Sequence, residues 1–332
     1  MYRKTEQLYA ASFIMFIYSL ILSVLNVEPT LLYTNLLSFI DNLSQFFFQS
    51  PTFFYSTVGL ISLAIGSFLN VVIYRTPKMM EYAWYHDCRE FLADEVVNVK
   101  AKKLTKITLS KPDSTCPNCD HKIRFYENIP VLSWLVLKGK CSQCTNKISA
   151  RYPLVELSTM LLSLIVAQHF GTTITTIWVL LLTWCLISLT MIDFDHMLLP
   201  DQITLPLLWL GLLININGTF IPLTDAVIGA AVGYMSLFSV FWLFKLITGK
   251  EGMGFGDFKL FAVFGAWIGW QLLPLLILMA SVVGAIVGIA LMLFKNHQRE
   301  QGIPFGPYLA VAGWITLLWG NGIWSWYLQN LL

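Results

Sequence analysis

Charge is scarce in this 332-residue chain: 12% of its residues are Asp, Glu, Lys or Arg, about half of the ~25% usual in soluble domains. That shortage excludes an ordinary water-soluble globule and a solvated, disordered chain. A net charge of only +2 leaves no overall field to collect phosphates, so nucleic acid is not an expected partner. Two common nucleotide cradles are also missing. No glycine-rich loop is followed by Gly-Lys-Ser/Thr, and no Rossmann-type fingerprint follows a strand. Neither an internal repeat nor a low-complexity tract is visible.

What fills the chain is apolar: 56% of residues are hydrophobic and 14% are aromatic. A membrane span needs about 20 mostly apolar residues. Runs of that kind fall at Leu8–Val27, Phe53–Tyr74, Leu154–Phe170, Thr173–Ile192, Ile203–Ile216, Ala226–Ile247, Phe258–Gln271, Leu272–Phe294 and Phe305–Leu328. The sequence therefore predicts an all-α polytopic membrane protein with eight to nine transmembrane helices, the ninth depending on whether Leu8–Val27 is retained. That first run follows Arg3 and Lys4 and lacks a small-residue cleavage site before Glu28, so it reads as a span and not a signal peptide.

Lys and Arg set the orientation. Of the 21 basic residues, most lie in the long loop from Arg75 to Arg151. The rest sit before the first run or at the Thr248–Gly256 and Lys295–Pro304 loops and their margins. With nine spans every basic residue falls on one side, the cytoplasmic side. The expected domains are 1–52, an extra N-terminal span and extracytoplasmic linker; 53–74, a span; 75–151, a cytoplasmic domain; and 152–332, the membrane core.

The 75–151 loop is near the size at which a hydrophobic core alone no longer suffices. Four cysteines lie in it as Cys116-Pro-Asn-Cys119 and Cys141-Ser-Gln-Cys144. Two CxxC knuckles at this spacing match a tetrahedral Cys₄ zinc site, closed and therefore structural. The reducing side of the membrane argues against disulfides. The basic run from Lys100 to Lys106 beside the knuckles reads as a positive-inside anchor facing anionic lipid. Cys88 is read as a loop thiol and Cys185 as packing within a span.

Acidic residues near hydrocarbon are functional candidates by default. Asp193, Asp195, Asp201 and Asp257 all fall at the cytoplasmic ends of predicted spans, with Glu156 a turn inside the third. Asp201 and Asp257 occupy positions where an N-cap would sit, and Asp195 with His196 suits a solvated turn. Asp193 is different, because an acid at a helix C-terminus opposes the helix dipole. Asp257 closes Gly252-Met-Gly-Phe-Gly-Asp257, whose alternate glycines leave room for extended backbone and a close-lying substrate chain. Two such carboxylates brought together share one proton, so that one activates water while the other polarises a carbonyl.

These motifs resemble the bacterial type IV prepilin peptidases. The resemblance rests on Gly66-Ser-Phe-Leu-Asn-Val-Val-Ile-Tyr-Arg75, the two CxxC knuckles, Ala150-Arg-Tyr-Pro-Leu-Val-Glu156, Ile192-Asp-Phe-Asp-His-Met-Leu-Leu-Pro-Asp201 and Gly254-Phe-Gly-Asp-Phe-Lys259. It implies an aspartyl endopeptidase with Asp193 and Asp257 catalytic. It also implies cleavage of type IV prepilins and type II secretion pseudopilins after a glycine, on the cytoplasmic side. Methylation of the new N-terminus with S-adenosylmethionine would follow, and Cys116, Cys119, Cys141 and Cys144 would hold the metal. The residues of the methyl-donor pocket are not identified by the motifs; Glu156 and Lys259 are candidates. Other readings are an ion-coupled transporter with buried acids, a zinc-ribbon scaffold, and a presenilin-like intramembrane protease, which the knuckles disfavour.

Overall fold

The computed structural model describes residues 45–91, 106–250, 252–295 and 303–331. The run Leu8–Val27, most of the basic run before Lys106 and most of the Lys295–Pro304 loop lie outside them. Two compact units separate at Ser56 and Thr57. In the first, a helical turn at 45–49 carries Phe46 and Phe47 into ring contacts with Phe53 and Phe54.

Eight long helices follow the apolar runs: α1 Pro51–Phe91, α2 Arg151–Phe170, α3 Ile174–His196, α4 Asp201–Ile214, α5 Leu223–Thr248, α6 Phe255–Ile268, α7 Leu273–Lys295 and α8 Gly306–Leu331. No named strand occurs among the described residues. Five of these helices (α1, α2, α3, α5 and α7) are long and apolar enough to cross a membrane, and the chain is a multi-pass membrane protein. Helices α4 and α6 have only 14 residues each, about 21 Å of helix against a hydrocarbon core of about 30 Å. The predicted run ending at Tyr74 continues as one helix to Phe91, through Pro77.

Helix α6 is the centre of the bundle. From Asp257 to Ile268 every residue but Lys259 is buried, as expected of a helix that is apolar on all sides. Helix α5 lies against it with almost no separation. A Cβ placed on Gly265 would come 2.0 Å from the Gly229 carbonyl oxygen, and one on Gly233 2.9 Å from the Phe261 oxygen. Small residues at such a crossing let two backbones meet, which is how helices in lipid gain packing energy. Helix α8 packs on both α6 and α3. Indoles tie the layers together: half-buried Trp314 Nε1 donates to Thr183 Oγ1 at 2.9 Å, half-buried Trp184 Nε1 to Ser163 Oγ at 2.9 Å and buried Trp267 Nε1 to the Leu207 carbonyl at 2.9 Å.

Between α1 and α2 the chain forms a small domain of turns. Within 106–150 only Cys116 and Gly139 are buried, so this region has no hydrophobic core. It is fastened to the bundle at two points. Buried Arg75 of α1 donates to the carbonyls of Thr108, Leu109 and Pro112 at 2.9, 3.3 and 2.7 Å. Buried Glu156 of α2 accepts the Val131 N–H at 2.7 Å. Val131 has φ of 59°, a rare backbone for a β-branched residue, and it starts the short helix Leu132–Val136.

Candidate active site and cysteine cluster

Asp193 lies in the last turn of α3, which stops where Met197 turns left-handed and donates its N–H to the Asp193 carbonyl at 2.9 Å. Asp257 is the third residue of α6. Both side chains are buried, Asp193 at 5% and Asp257 at 7% exposure, and they lie near enough to act on each other electrostatically. Sequence reasoning named these two residues as candidates, and the fold buries both of them.

Helix α8 supplies a part that sequence reasoning missed. The Gly306 N–H donates to Asp193 Oδ2 at 3.1 Å. It belongs to the helix N-terminus, whose first N–H groups have no partner within the helix and whose dipole favours an anion. A Cβ on Gly306 would lie 2.6 Å from Asp193 Oδ2, so only glycine lets the backbone reach the carboxylate. The available signal was Gly306-Pro307 opening a span, since proline suits a first helical turn. Leu199, in the α3–α4 connection, packs close to both Gly256 and Gly306, the glycines at the starts of α6 and α8.

Two expectations about capping need correction. The N-cap positions of α4 and α6 are held by Pro200 and Gly254. Asp257, three residues after Gly254, turns its carboxylate back toward the Gly254 N–H, which is half of a capping box. Asp201 instead pairs with Lys259, whose Nζ reaches both carboxylate oxygens at 2.7 Å. Asp195 is not simply solvated either: Arg151 of α2 grips it through two bonds of 2.8 and 2.6 Å. Each central aspartate is thus followed two residues later by a charge tied to a different helix. Those ties fix the C-terminal end of α3 and the N-terminal end of α6, the segments that present Asp193 and Asp257.

The glycine run is extended at Gly254, as its sequence allows, and space sets the need for glycine on either side. Gly254 has φ of −81°, and neither Gly252 nor Gly256 has positive φ. Space is what requires glycine: a Cβ on Gly252 would strike the Phe244 ring, and one on Gly256 would strike Leu199. Among the described residues the only atom within 4 Å of a Cβ placed on Gly254 is Asp257 Oδ2, at 3.8 Å, so the described chain is bare beside that carboxylate.

In the small domain the two knuckles are copies of one another in backbone, although the sequence shows no repeat. Cys116 N–H donates to the His121 carbonyl at 2.9 Å and Cys141 N–H to that of Asn146 at 2.8 Å. Asp120 and Thr145 take the same left-handed φ of 54° and 55°, and Thr115–Lys122 and Lys140–Lys147 form matching bridges. The four sulfurs lie within 4.8 Å of one another, with Cys116 and Cys144 at 3.7 Å. Tetrahedral zinc with Zn–S bonds of about 2.3 Å sets sulfurs about 3.8 Å apart, so the donor set fits such an ion. The Asn146 backbone N–H, followed by the Asn118 side chain, draws the Cys144 thiol down to about 6. Cys119 accepts the His121 N–H, which favours its thiolate, but burial and the neighbouring sulfurs outweigh this and push it up to about 12. A central cation removes that conflict by stabilising all four thiolates.

Glu156 and Lys259, candidates for the methyl-donor pocket, are engaged elsewhere, with Val131 and Asp201 respectively.

Residues 60–170 match the model of the bacterial peptidase A24 N-terminal domain, and residues 180–289 match that of the type IV leader peptidase family. The prepilin leader peptidase/N-methyltransferase of Aeromonas salmonicida (strain A449) is 56% identical over 282 residues, 85% of this chain and 96% of the relative. The proteins of the same name from Pseudomonas aeruginosa (56% over 279 residues, 84% and 95%) and Legionella pneumophila (46% over 278 residues, 84% and 96%) are similar over the same share. No solved structure matches the chain. Motifs spread over both matched domains, at this identity across nearly the whole of each relative, mean that the chain belongs to the type IV leader peptidase family.

Proposed function

We propose that this protein is a prepilin leader peptidase and N-methyltransferase, in which Asp193 and Asp257 carry out the cleavage. The observation that carries the reading is the burial of these two carboxylates, one from α3 and one from α6, within electrostatic reach of each other. The relatives' names supply the reaction and substrate; a transporter finds no support among them.

The ionised member of the pair takes a proton from water, and the resulting hydroxide attacks the scissile carbonyl. The protonated member donates a hydrogen bond to that carbonyl oxygen. Collapse of the tetrahedral intermediate breaks the C–N bond, and the departing amine takes a proton from the pair. The Gly306 N–H holds Asp193 Oδ2 in place throughout. The bare backbone at Gly254 gives a substrate strand an approach beside Asp257. Positive-inside charge puts these residues on the cytoplasmic side of the inner membrane, where a prepilin or a type II secretion pseudopilin presents the leader preceding its hydrophobic segment.

Structural zinc at Cys116, Cys119, Cys141 and Cys144 organises the 75–151 domain. S-adenosylmethionine supplies the methyl group to the new N-terminal amine. Mass spectrometry of a prepilin incubated with purified protein, with and without S-adenosylmethionine, tests both activities. Loss of the leader in both samples, with one added methyl in the second, is expected. An uncut prepilin in lipid overturns the peptidase reading, and a cut but unmethylated product overturns the methyltransferase reading.

A further inference from the structure

We propose that the groove between the Phe125–Asn128 turn and the Leu132–Val136 helix of the cysteine domain binds the adenosyl part of the methyl donor. The inference rests on the methyltransferase reading above and gives it a place. The groove encloses about 450 Å³, within the ~300–1,000 Å³ typical of small-molecule sites. Neither member of the aspartate pair lines it, and its two walls differ in chemistry.

One wall is apolar: Ile129, Leu132 and Val136 line it, and Leu132 and Val136 are 56% and 72% exposed. A purine ring is flat, apolar on its faces and of a size to cover them. Tyr126, also lining the groove and 45% exposed, offers a ring face for stacking. The other wall is polar and comes from the knuckles. His121 follows Cys119, and Ser142 lies between Cys141 and Cys144; both meet Glu127 or each other.

Glu127 is the polar anchor. Its carboxylate accepts the Arg124 N–H at 2.9 Å, faces His121 Nε2 at 3.1 Å and takes a further hydrogen bond from Ser142. A carboxylate offers about four lone-pair sites, so the group keeps acceptor capacity for a ribose hydroxyl and its charge suits the positive charge of a sulfonium. Arg124, at the same groove, supplies the complementary cation for an amino-acid carboxylate. An apolar slot, an acceptor and a cation are the three features that an adenosyl amino acid requires. The cysteine cluster, a closed donor set, thereby shapes a binding wall.

The test is calorimetric titration of the full-length, zinc-loaded protein in lipid nanodiscs with S-adenosylhomocysteine. It is paired with direct photolabelling by S-adenosylmethionine carrying a radioactive methyl group. Tyr126→Ala and Glu127→Ala should each weaken binding at least tenfold with zinc content unchanged, and Lys147→Ala, outside the groove, should bind as the parent does. The label should fall on the peptide spanning 125–137. If Glu127→Ala loses zinc, Leu132→Asn with Tyr126→Ala decides the matter. Unchanged affinity in those variants, or label confined to the membrane helices, overturns the location while leaving the methyltransferase reading intact. A parent protein that cleaves prepilin yet binds no S-adenosylhomocysteine and transfers no methyl overturns both.

Discussion

The helical bundle and the cysteine domain reach order by opposite means. In the bundle, α6 is buried on every side and α5 meets it backbone to backbone at Gly229 and Gly265. Order there comes from shape and apolar contact. Within 106–150 only Cys116 and Gly139 are buried, and order comes from turn hydrogen bonds, the Arg75 and Glu156 tethers and four converging sulfurs. The difference teaches that a short polar domain beside a membrane can take its order from turns, from the helices that flank it and from a donor set that fits a metal, where a soluble domain of that size would need a core.

Four experiments press on this contrast. The largest effect should follow metal removal, since structural zinc supplies on the order of 10 kcal/mol to small domains. A strong chelator, or Cys116→Ser, should open 106–150 to limited proteolysis while α2 to α8 stay protected. Equal sensitivity of bundle and domain would erase the distinction. Next, Asp193→Asn or Asp257→Asn should slow leader cleavage by about 10²–10⁴-fold, the range for a lost acid–base group, with the protein still inserted and folded. Near-normal cleavage in either variant would take that residue out of the mechanism.

Gly265→Ala should lower bundle stability by about 1–3 kcal/mol, the usual cost of overpacking, at the upper end because the obstacle is the Gly229 backbone. Thermal unfolding in detergent measures it; an unchanged midpoint would show that α5 slides without cost. Smallest are the half-exposed ion pairs. Lys259→Met or Arg151→Met should cost about 0.2–1 kcal/mol in stability but reduce cleavage more than stability suggests, because each pair orients an aspartate-bearing turn. Reversing the charges of Lys259 with Asp201, or of Arg151 with Asp195, should recover part of the rate. No recovery from reversal would confine the pairs to a minor structural role.

The polar wall of the small domain adds a pH signature outside the membrane. Glu127 is held at about 2, first by the Arg124 N–H, then by Ser142 and His121. Its folded value lies below the ordinary carboxylate range, so its contribution is complete above about 4.5 and fades as pH falls toward about 2. Glu127→Gln should therefore weaken the domain at neutral pH and make less difference as the solution is acidified, as read by proteolytic protection.

Much of this was legible in the residues. Apolar runs locate eight of the long helices, because lipid requires every spanning backbone to satisfy itself as a helix. The knuckles announce their shared chemistry through spacing, and Asp193 stands out because nothing about a helix C-terminus favours it. The partner choices were not legible. Asp201 reads as a cap yet pairs with Lys259, and Asp195 reads as solvated yet pairs with Arg151. Both partners lie distant in the chain, and local rules see only neighbours. The glycine run reads as room for extended backbone, which Gly254 adopts, but that Phe244 and Leu199 leave no space beside Gly252 and Gly256 was not legible.

By itself, then, the sequence determines a many-helix membrane protein with one cysteine-stapled loop and a short list of suspect acids. Hydropathy, charge asymmetry and ligand spacing are local or compositional properties that survive without coordinates. Only the tertiary structure decides that α8 turns its first N–H groups onto Asp193, that α6 is the core of the bundle, and that the knuckles build a groove. Those depend on which helices meet, and close packing between segments far apart in the chain sets that.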